Sequence, residues 1–573
     1  MGNCLEGISR DDDQPKSTTK PSAPKPNTAK VAKISRHDST NMTIHSNILQ
    51  SQELDVYKKY TEVDVIGRGS MGHVAKVVAK ENPRPSIAGS ITNSLRTTKS
   101  ASSKPAYYAL KSIILERIST TFVKELKNEI DILNAMDHPN IVKLHEVITF
   151  KKQIFLVQEL CDGGDLYTRL PYTEHESAYI TGKLLSAVKY MHDHAIVHRD
   201  LKFENIMFEN KGKNAEIKVI DFGLSKKFVS SRLGIMKEGV GTLYSMAPQV
   251  LQGVYTSQAD MWSMGVIAYM LLSSHRPFYS KKRAVMIDKI MRCDYNFRKD
   301  YWKPVSDEAK DFINKLLVMD PSVRYKAEQA QAHAWMNKEF KLEDRAPTEG
   351  LTAKVNNMLS AYKNNAPLKK LALNVIAKKS TTDEIINLRK AFDIFDTANN
   401  GVISLEEFKA ALKDKCSYTE TEILEMFDSI DINQNGHIMY TEFIAATLEA
   451  QGCIDEDRIA EAFERLDVDN SGFISKENLM DFLADTGATD KEIQVIIEGS
   501  DTQEQDGQIS YEEFLEMFRM EDDDQKSRLV KGIPSSLNLT SNLSLDDAEE
   551  AKTEGLVGID AVIPGGKHDT ARF

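Results

Sequence analysis

The sequence predicts a multidomain protein in which a mixed α+β part precedes an all-α part. Its 573 residues exceed what one compact core usually holds. Residues 57–335 combine helical patterns with short apolar runs typical of strands, such as IFLV at 154–157. Residues 383–520 repeat an apolar helix, an acidic loop centred on glycine and a second helix at a spacing of roughly 35 residues.

The net charge of −12 conceals two parts of opposite sign. Residues 383–524 hold 37 Asp and Glu against 10 Lys and Arg, a net of −27, so the rest of the chain carries +15. This asymmetry predicts modules with different partners. The basic part has no dense Lys/Arg stripe with interleaved aromatic residues, so we expect no nucleic-acid binding.

The cysteine content and the apolar segments point to a cytoplasmic protein. The five cysteines form no CxxC pair, which disfavours a disulfide framework or a structural zinc site. No apolar stretch approaches the length of a membrane span, and no apolar run follows the first charges as in a secretory signal.

Composition divides the chain into five expected segments. They are a Ser/Thr/Lys/Pro-rich disordered arm at 1–54, the mixed part at 55–337 with an insertion at about 80–106, a Lys-rich junction at 340–382, the repeats at 383–520 and an aperiodic, disordered tail at 521–573.

Four short motifs follow one another in the mixed part. Gly67, Gly69 and Gly72 begin a GxGxxGxV pattern that ends at Val74 and lets backbone N–H groups approach phosphates. Lys111 lies in a strand-like YALK context, where it can bind phosphates, and Glu129 lies in a helical pattern, where it can pair with that lysine. The sequences HRDLKFEN at 198–205 and DFG at 221–223 complete the series.

Taken in this order, the motifs resemble the catalytic domain of protein kinases. The resemblance covers about residues 57–335 and implies an α+β bilobal fold that binds ATP and Mg²⁺. It implies that Asp200 accepts the substrate hydroxyl proton, that Lys202 steadies the γ-phosphate, and that Asn205 and Asp221 hold Mg²⁺. Lys202 is typical of the Ser/Thr type, and Thr242 would shape the acceptor site.

The same resemblance implies a nucleotide pocket and a substrate preference. The implied ATP-binding residues are Ile66, Gly67, Gly69, Gly72, Val74, Lys111, Gln158, Glu159, Cys161 and Asp165. Gln158 falls at the gatekeeper position, and the hinge extends from it to Cys161. Asp165 and Glu204 match positions that bind ribose or flanking basic residues of a peptide, so we expect Ser/Thr protein substrates with basic residues nearby.

Two residues depart from the pattern of the family. Gln249 replaces the glutamate that ordinarily closes the activation segment and pairs with an arginine, here plausibly Arg324. Glu238 stands where many kinases carry a phosphorylated threonine. Its carboxylate could pair with Arg199, so we expect activity without activation-loop phosphorylation.

Four acidic loops match the pattern of calcium-binding loops to different degrees. Such a loop places oxygen ligands at positions 1, 3, 5, 7, 9 and 12, with Gly at position 6. In loop 1 (396–407), Ala398 replaces the third-position ligand, and in loop 2 (431–442) Met439 stands at position 9. The ligands expected in these two stronger loops are Asp396, Asn400, Val402, Ser404 and Glu407, and then Asp431, Asn433, Asn435, His437 and Glu442.

The other two loops are expected to bind Ca²⁺ more weakly. In loop 3 (467–478) Asn478 replaces the final glutamate, and its candidate ligands are Asp467, Asp469, Ser471, Phe473 and Asn478. In loop 4, counting back from Gly507 puts Thr502 at position 1 and leaves Asp501 outside. Either a one-residue insertion or a damaged site explains this, and its candidates are Glu504, Asp506, Gln508 and Glu513.

Between the two parts, helical apolar spacing over 355–379 predicts a basic amphipathic helix, with lysines flanking its second stripe. Such helices are typical ligands of calmodulin-like domains, although packing on the kinase would give the same pattern. Kinase, basic helix and four EF-hands in this order resemble the calcium-dependent protein kinases of plants and protists. The resemblance implies that the junction restrains the kinase and that Ca²⁺ binding to the EF-hands releases it.

The N-terminal sequence resembles an acylation signal. Gly2 could carry myristate and Cys4 palmitate, which would attach the protein to a membrane, although Glu6 departs from the preferred Ser or Thr. An unmodified arm is the alternative. For the function as a whole, the alternatives are a calcium-responsive pseudokinase or scaffold and a kinase that needs external calmodulin.

Overall fold

A computed structural model describes most of the chain between residues 55 and 519. The described ranges are 55–68, 72–80, 106–117, 119–227, 236–237, 239–338, 351–413, 418–432, 434–451, 454, 456–483, 489–503 and 505–519. The predictions for Gly2, Cys4, Gly69, Glu238, Asn433 and Glu504, for the N-terminal arm and the C-terminal tail, and for almost all of the insertion lie outside these residues.

The N-terminal lobe is a five-stranded antiparallel sheet with one long helix. The sheet order is β1-β2-β3-β5-β4, and the bounds are α1 Val56–Lys59, β1 Tyr60–Arg68, β2 Gly72–Ala79, β3 Tyr107–Ile114, α2 Thr120–Ala135, β4 Leu144–Phe150 and β5 Gln153–Glu159. Ser119 starts α2 because its hydroxyl accepts the Phe122 N–H at 3.2 Å. Alternate residues Ala75 and Val77 of β2 are fully buried, as expected for a strand with one face in a core.

The C-terminal lobe is mainly helical. Its elements are α3 Glu174–Asp193, β6 Ile196–Val197, β7 Ile206–Phe208, β8 Ile217–Val219, β9 Lys226–Lys227, α4 Pro248–Leu251, α5 Gln258–Ser273, α6 Arg283–Met291, α7 Asp307–Leu316 and α8 Ala327–Gln331. Helix α3 begins with a capping box between Thr173 and Glu176. Helix α5 is buried on all sides and therefore forms the centre of this lobe.

The junction and a helical module follow. Their elements are α9 Leu351–Tyr362, α10 Pro367–Lys379, α11 Thr382–Phe395, β10 Val402–Ser404, α12 Leu405–Lys413, α13 Glu420–Ile430, β11 His437–Met439, α14 Tyr440–Thr447, α15 Glu456–Leu466, β12 Phe473–Ile474, α16 Lys476–Phe482, α17 Asp490–Ser500, β13 Ile509–Ser510 and α18 Tyr511–Arg519. Among the described residues, no helix is both long and apolar enough to span a bilayer.

The loops of the helical module pair through short strands. β10 pairs with β11, and β12 pairs with β13, which places Ile403 opposite Ile438 and Ile474 opposite Ile509. All four isoleucines are fully buried. The two loops of each pair are therefore joined by the pairing of their short strands and by one contact between isoleucines. This joins two helix–loop–helix units into one lobe.

The single helix predicted over 355–379 is wrong, because the structure contains two helices there. Helix α9 ends at Tyr362, and Pro367 begins α10 at a position where its missing N–H costs no helical hydrogen bond. Both helices pack on the module, α9 chiefly on α13 and α14 and α10 chiefly on α14 and α15. The Lys369 ammonium lies 3.0 Å from the Glu449 carboxylate and the Lys379 ammonium 2.5 Å from the Glu461 carboxylate, so junction cations meet module anions.

The module also packs on the two-lobed part through buried charges. The Arg389 guanidinium of α11 donates two hydrogen bonds to the Glu209 carboxylate, at 2.5 and 2.9 Å. The two side chains are 5% and 1% exposed. A second ion pair joins Lys183 of α3 to Asp393 of α11 at 2.8 Å. Helix α11 is therefore the main charged link between the two parts.

We expect Arg389→Met to destabilise the packed structure by about 3–5 kcal/mol, because it leaves the Glu209 carboxylate buried without a cation. The double variant Arg389→Met, Glu209→Met should cost much less than the sum of the single changes. The measurement is denaturant unfolding of the full chain. Lys409→Met is the control, since its exposed pair with Glu420 should contribute less than about 1 kcal/mol. A double variant as damaged as the sum would contradict the coupling.

Candidate functional site

A buried ion pair joins the sheet of the N-terminal lobe to its helix. The Lys111 ammonium of β3 lies 2.6 Å from the Glu129 carboxylate of α2. Glu129 is 4% exposed, whereas Lys111 is 28% exposed and faces the space between the lobes. The structure thus brings together two residues 18 positions apart and leaves the lysine accessible to an anion.

The hairpin of β1 and β2 lies above this lysine. Val74 pairs with Lys111 in the sheet register, and Gly67 lies opposite Val74 on β1. A Cβ atom at Gly72 would lie 1.7 Å from the Ser112 carbonyl oxygen, so the close packing of β2 on β3 requires glycine there. Ile66 is 49% exposed at the same end of β1.

The loop after β6 holds the central carboxylate of the site. Asp200 accepts hydrogen bonds from the Thr242 N–H at 2.8 Å, the Lys202 ammonium at 2.6 Å and the Asn205 amide at 3.2 Å. Lys202 also donates to the Thr242 hydroxyl at 2.9 Å. These contacts hold one carboxylate, one cation and one amide oxygen within a single small cluster.

The backbone around this cluster adopts left-handed conformations at two residues that are not glycine. Arg199 has φ +69° and Asp221 has φ +63°. Buried Asp260 holds the first of these turns by accepting the N–H groups of His198 and Arg199 at 2.9 and 3.0 Å. Phe222 is fully buried, which anchors the turn that carries Asp221. Such conformations persist where the surrounding structure fixes them, commonly at functional sites.

The hinge begins with the last two residues of β5, and its side chains face two different environments. Gln158 is half-buried, and burial raises the pKa of the Cys161 thiol. The Glu159 carboxylate accepts from Lys218 at 2.9 Å and from the Thr382 hydroxyl of α11 at 2.5 Å. Burial alone would raise the pKa of Glu159, but these partners lower it to about 2. The Asp165 carboxylate caps the next turn through the Tyr167 N–H at 3.0 Å.

Gln249 takes the place of a charged partner for a buried arginine. The Arg324 guanidinium donates to the Gln249 amide oxygen at 3.1 Å, and the Gln249 amide donates to the Met319 carbonyl. Arg324 also donates to the carbonyls of Val318 and Gln258. Burial lowers the pKa of Arg324 to about 10. The neutral amide therefore satisfies the arginine without an ion pair.

Loops 1 and 2 have the same internal geometry. In loop 1 the Asp396 carboxylate accepts the N–H groups of Asn400 and Gly401, at 2.9 and 2.8 Å. The Glu407 carboxylate closes the loop through the N–H groups of Ala398 and Ser404. Gly401 has φ +83°, which favours glycine. In loop 2, Asp431 accepts the N–H groups of Asn435 and Gly436 in the same way, and Glu442 closes the loop through the N–H groups of Ile432 and Met439. The His437 N–H donates to the Asn435 side chain.

Loop 3 follows the same pattern but closes with an amide. Asp467 accepts the N–H groups of Ser471 and Gly472, while the Asn478 amide oxygen accepts the Ser475 N–H at 2.9 Å. Asp469 also accepts the Ser471 N–H, and the hydroxyl of Ser471 donates to the Phe473 carbonyl.

The register of loop 4 that begins at Thr502 is wrong. Asp501 accepts the N–H groups of Gln505 and Gly507 at 2.8 and 2.7 Å. The bonded glycine follows Asp501 by six residues, whereas it follows Asp396, Asp431 and Asp467 by five. The left-handed residue is also shifted by one, to Gln505. These observations support the one-residue insertion. The Gln508 N–H bonds Asp506, and Glu513 closes the loop at Ser510.

Some residues of the site were missed from the sequence. Asp501 was left outside its loop because a fixed spacing from glycine was assumed. Asp137 accepts both the N–H and the hydroxyl of Thr441 of α14, at 2.8 and 2.6 Å, and links the module to the segment after α2. His138 lies so close to loop 1 that a Cβ atom at Gly401 would come within 2.0 Å of its ring. No local motif indicates these long-range contacts.

The residues present fit the metals that the motifs imply. Asn205 and Asp221 offer an amide and a carboxylate oxygen near Asp200, which suits Mg²⁺, a cation that prefers oxygen ligands. The acidic loops offer carboxylate, amide, hydroxyl and backbone oxygens around a left-handed glycine, which suits Ca²⁺. Loop 3 offers one charged oxygen fewer at its final position.

A lysine–glutamate pair, a loop aspartate with its lysine and asparagine, and a two-lobed α+β fold define a protein kinase. The protein kinase domain model matches residues 60–336, and the EF-hand domain pair model matches residues 386–448 and 456–519. These matches confirm the predicted fold class of a bilobal kinase followed by four EF-hands.

The chain belongs to the calcium-dependent protein kinase family. It is 35% identical to calcium-dependent protein kinase 32 of Arabidopsis thaliana, over 73% of this chain and 78% of that relative. It is 35% identical to calcium-dependent protein kinase 16 of rice, over 73% and 77%. It is 33% identical to calcium-dependent protein kinase 5 of Plasmodium falciparum, over 81% and 77%. The chain is thus a calcium-regulated Ser/Thr protein kinase, as the motifs predicted.

We expect Gln249→Ala to destabilise the kinase domain by about 1–3 kcal/mol, because it removes one acceptor from buried Arg324 and leaves the Met319 carbonyl without its donor. The measurement is the thermal unfolding midpoint together with kinase activity. Gln252→Ala is the matched control, since this exposed glutamine should change stability by less than about 0.5 kcal/mol. Equal effects of both changes would show that Gln249 does not stabilise the segment.

We expect Glu442→Gln in loop 2 to raise the free Ca²⁺ needed for half-maximal kinase activity by roughly tenfold, since one carboxylate ligand is lost. Asn478→Glu in loop 3 should act in the opposite direction by adding a carboxylate. Calcium titration of activity and of binding heat measures both. Glu420→Gln, an exposed change outside the loops, serves as the control, and an unaltered calcium response of the Glu442 variant would refute a role for loop 2.

Proposed function

We propose a specific division of roles among the catalytic residues. Asp200 accepts the proton of the substrate hydroxyl and orients its oxygen, while Lys202 offsets negative charge on the transferred phosphoryl group. Thr242 positions both, and the hydrogen bonds that join its N–H and hydroxyl to Asp200 and Lys202 support this role. Lys111, held by Glu129, binds the α- and β-phosphates of ATP.

Asn205 and Asp221 would hold Mg²⁺ in this scheme. When bound, the metal supplies positive charge that offsets the charge on the reacting phosphates. In this proposal the backbone of the hinge between Gln158 and Cys161 binds adenine, and Asp165 binds ribose, as its match to the family pattern implies. The remaining pocket residues are those of the glycine-rich hairpin, Ile66, Gly67, Gly69, Gly72 and Val74.

We propose that Ca²⁺ controls the kinase through the position of the junction. Without Ca²⁺ the junction restrains the kinase or blocks its substrate groove, and with Ca²⁺ the EF-hands bind it. One observation carries this proposal: the Lys111–Glu129 pair and the Asp200 cluster are formed while both junction helices pack on the EF-hand module. The Lys369–Glu449 and Lys379–Glu461 pairs add electrostatic support.

Further proposals concern segments outside the described residues. Glu238 pairs with Arg199 and replaces activation-loop phosphorylation. Acylation of Gly2 and Cys4 attaches the kinase to a membrane, with the arm (1–54) between the lipid and the kinase. We also propose boundaries for the segments between the arm and the tail, most of which the structure describes. They are 55–337 for the kinase domain, with its insertion at about 80–106, 340–382 for the junction and 383–520 for the EF-hands.

The test is transfer of labelled γ-phosphate to a Ser/Thr peptide by the full chain, with and without free Ca²⁺. We expect transfer only with Ca²⁺, and a loss of roughly 10²- to 10⁴-fold in Asp200→Asn, because the proton acceptor is removed. A tyrosine peptide of the same sequence should be a poor substrate, which controls for the Ser/Thr type.

Two results would contradict the scheme in different ways. Equal activity with Ca²⁺ and with a chelator would exclude restraint by the junction. Absence of transfer by the wild-type chain with Ca²⁺, although ATP binds, would support the pseudokinase alternative instead.

A further inference from the structure

Arg276 lies beside the acidic end of the catalytic loop. It follows helix α5 and is half-buried. Its guanidinium donates to the Tyr167 hydroxyl at 3.0 Å and stacks on the Tyr244 ring, with 4.1 Å between the guanidinium carbon and the ring centre. A planar cation held both by a hydrogen bond and by an aromatic face has a defined position.

Tyr244 connects this cation to Glu204. The Tyr244 hydroxyl donates to the Glu204 carboxylate at 2.5 Å and accepts the Phe203 N–H at 3.3 Å. Burial and this bond to Glu204 raise the pKa of Tyr244. Although partial burial alone would lower the pKa of Arg276, the bond to Tyr167 and the nearby Tyr244 and Glu204 raise it. Glu204 therefore already has a hydrogen-bond donor and a neighbouring cation.

The same segments form the acceptor side of the active site. The Thr242 N–H bonds Asp200, and Tyr244 follows Thr242 by two residues while Glu204 follows Asp200 by four. A peptide whose hydroxyl reaches Asp200 must run along one or other side of these two segments. The charge that a flanking substrate residue meets beside Glu204 thus depends on Arg276 as well.

We propose that Arg276 is a specificity-determining residue that offsets the charge of Glu204, so that the kinase prefers Ser/Thr substrates without a basic residue at the flanking position facing Glu204. A substrate arginine would have to displace the Tyr244 bond and lie near a fixed guanidinium, and like charges placed together disfavour binding. The inference reverses the expectation of a basic substrate residue at the one position that faces Glu204 and leaves it unchanged for positions that face Asp165. It rests on the proposed place of Glu204 in the acceptor groove.

The test compares a neutral peptide with peptides that carry one arginine at each flanking position in turn. The quantity is the ratio of kcat/KM for the arginine peptide to that for the neutral peptide, in which any loss common to both peptides cancels. For the wild-type chain with Ca²⁺ we expect a ratio no higher than about threefold at the position that faces Glu204, whatever preference Asp165 gives at another position. Arg276→Ala should raise one ratio by about tenfold, and Arg276→Gln, which keeps a donor for Tyr167, should do the same.

A second substitution, at Glu204, tests separately whether the Glu204 carboxylate attracts the substrate arginine. In the Arg276→Ala chain, Glu204→Gln should abolish the gained preference. The reason is that the Glu204 carboxylate, no longer offset by Arg276, is what attracts the substrate arginine. Arg298→Ala is the control, since this exposed guanidinium makes no hydrogen bond or ion pair among the described residues, and its ratios should equal those of wild type.

Each other outcome overturns a defined statement. In one such outcome, the wild-type chain prefers arginine by more than about tenfold at the position that faces Glu204, with the same ratio in both Arg276 variants. That result overturns the inference and leaves the role of Glu204 intact. A gained preference that persists after Glu204→Gln overturns the role of Glu204. Loss of activity on all peptides in both Arg276 variants also overturns the inference, because Arg276 would then be needed for catalysis itself.

Discussion

The buried pair of Arg389 and Glu209 is the constraint on which the arrangement of the two parts depends. A guanidinium and a carboxylate removed from water tolerate little displacement, since a shift would leave two buried charges without partners. The pair therefore fixes the rotation and position of helix α11 (Thr382–Phe395) against the kinase. Once α11 is fixed, Thr382 reaches Glu159, Asp393 reaches Lys183, and loop 1 lies against His138.

These contacts fall on elements that also serve the catalytic site. The Glu159 side chain lies in the hinge, and Asp137 and His138 follow directly after helix α2, which carries Glu129. Displacement of the module would remove its contacts with the hinge and with the segment after α2. The free energy of packing the module is therefore coupled to the free energy of the catalytic site. Such coupling is reciprocal: whatever stabilises the assembled hinge and α2 also favours the packed module.

The charge asymmetry of the chain is also visible in the contacts between its parts. Among the described residues, junction lysines meet module carboxylates in the pairs Lys363–Glu425, Lys369–Glu449 and Lys379–Glu461, and Lys183 of the kinase meets Asp393 of α11. The Arg389–Glu209 pair has the opposite polarity, with its cation on the module. Lys370 shows the cost of this arrangement, because burial lowers its pKa to about 7. The contacts of its ammonium are the carbonyl oxygens of Lys363 and Ser429 and the face of the Tyr362 ring, none of which carries a negative charge. Charge asymmetry in the sequence thus corresponds to an interface in the structure and not only to solubility.

The sequence by itself determined the class of protein, because its motifs are local. Glycine spacing, the 198–205 loop and the acidic loops each encode a turn whose geometry depends on neighbours within about twelve residues. Loop 4 and the break before Pro367 are local features: the sequence left an insertion open at Asp501, and its loop bonds support that alternative. The sequence did not indicate which residues make long-range contacts. The contacts of Arg389, Asp137 and Arg276 were decided by the tertiary structure alone, because each depends on which distant side chains are buried together, and no spacing in one sequence records that.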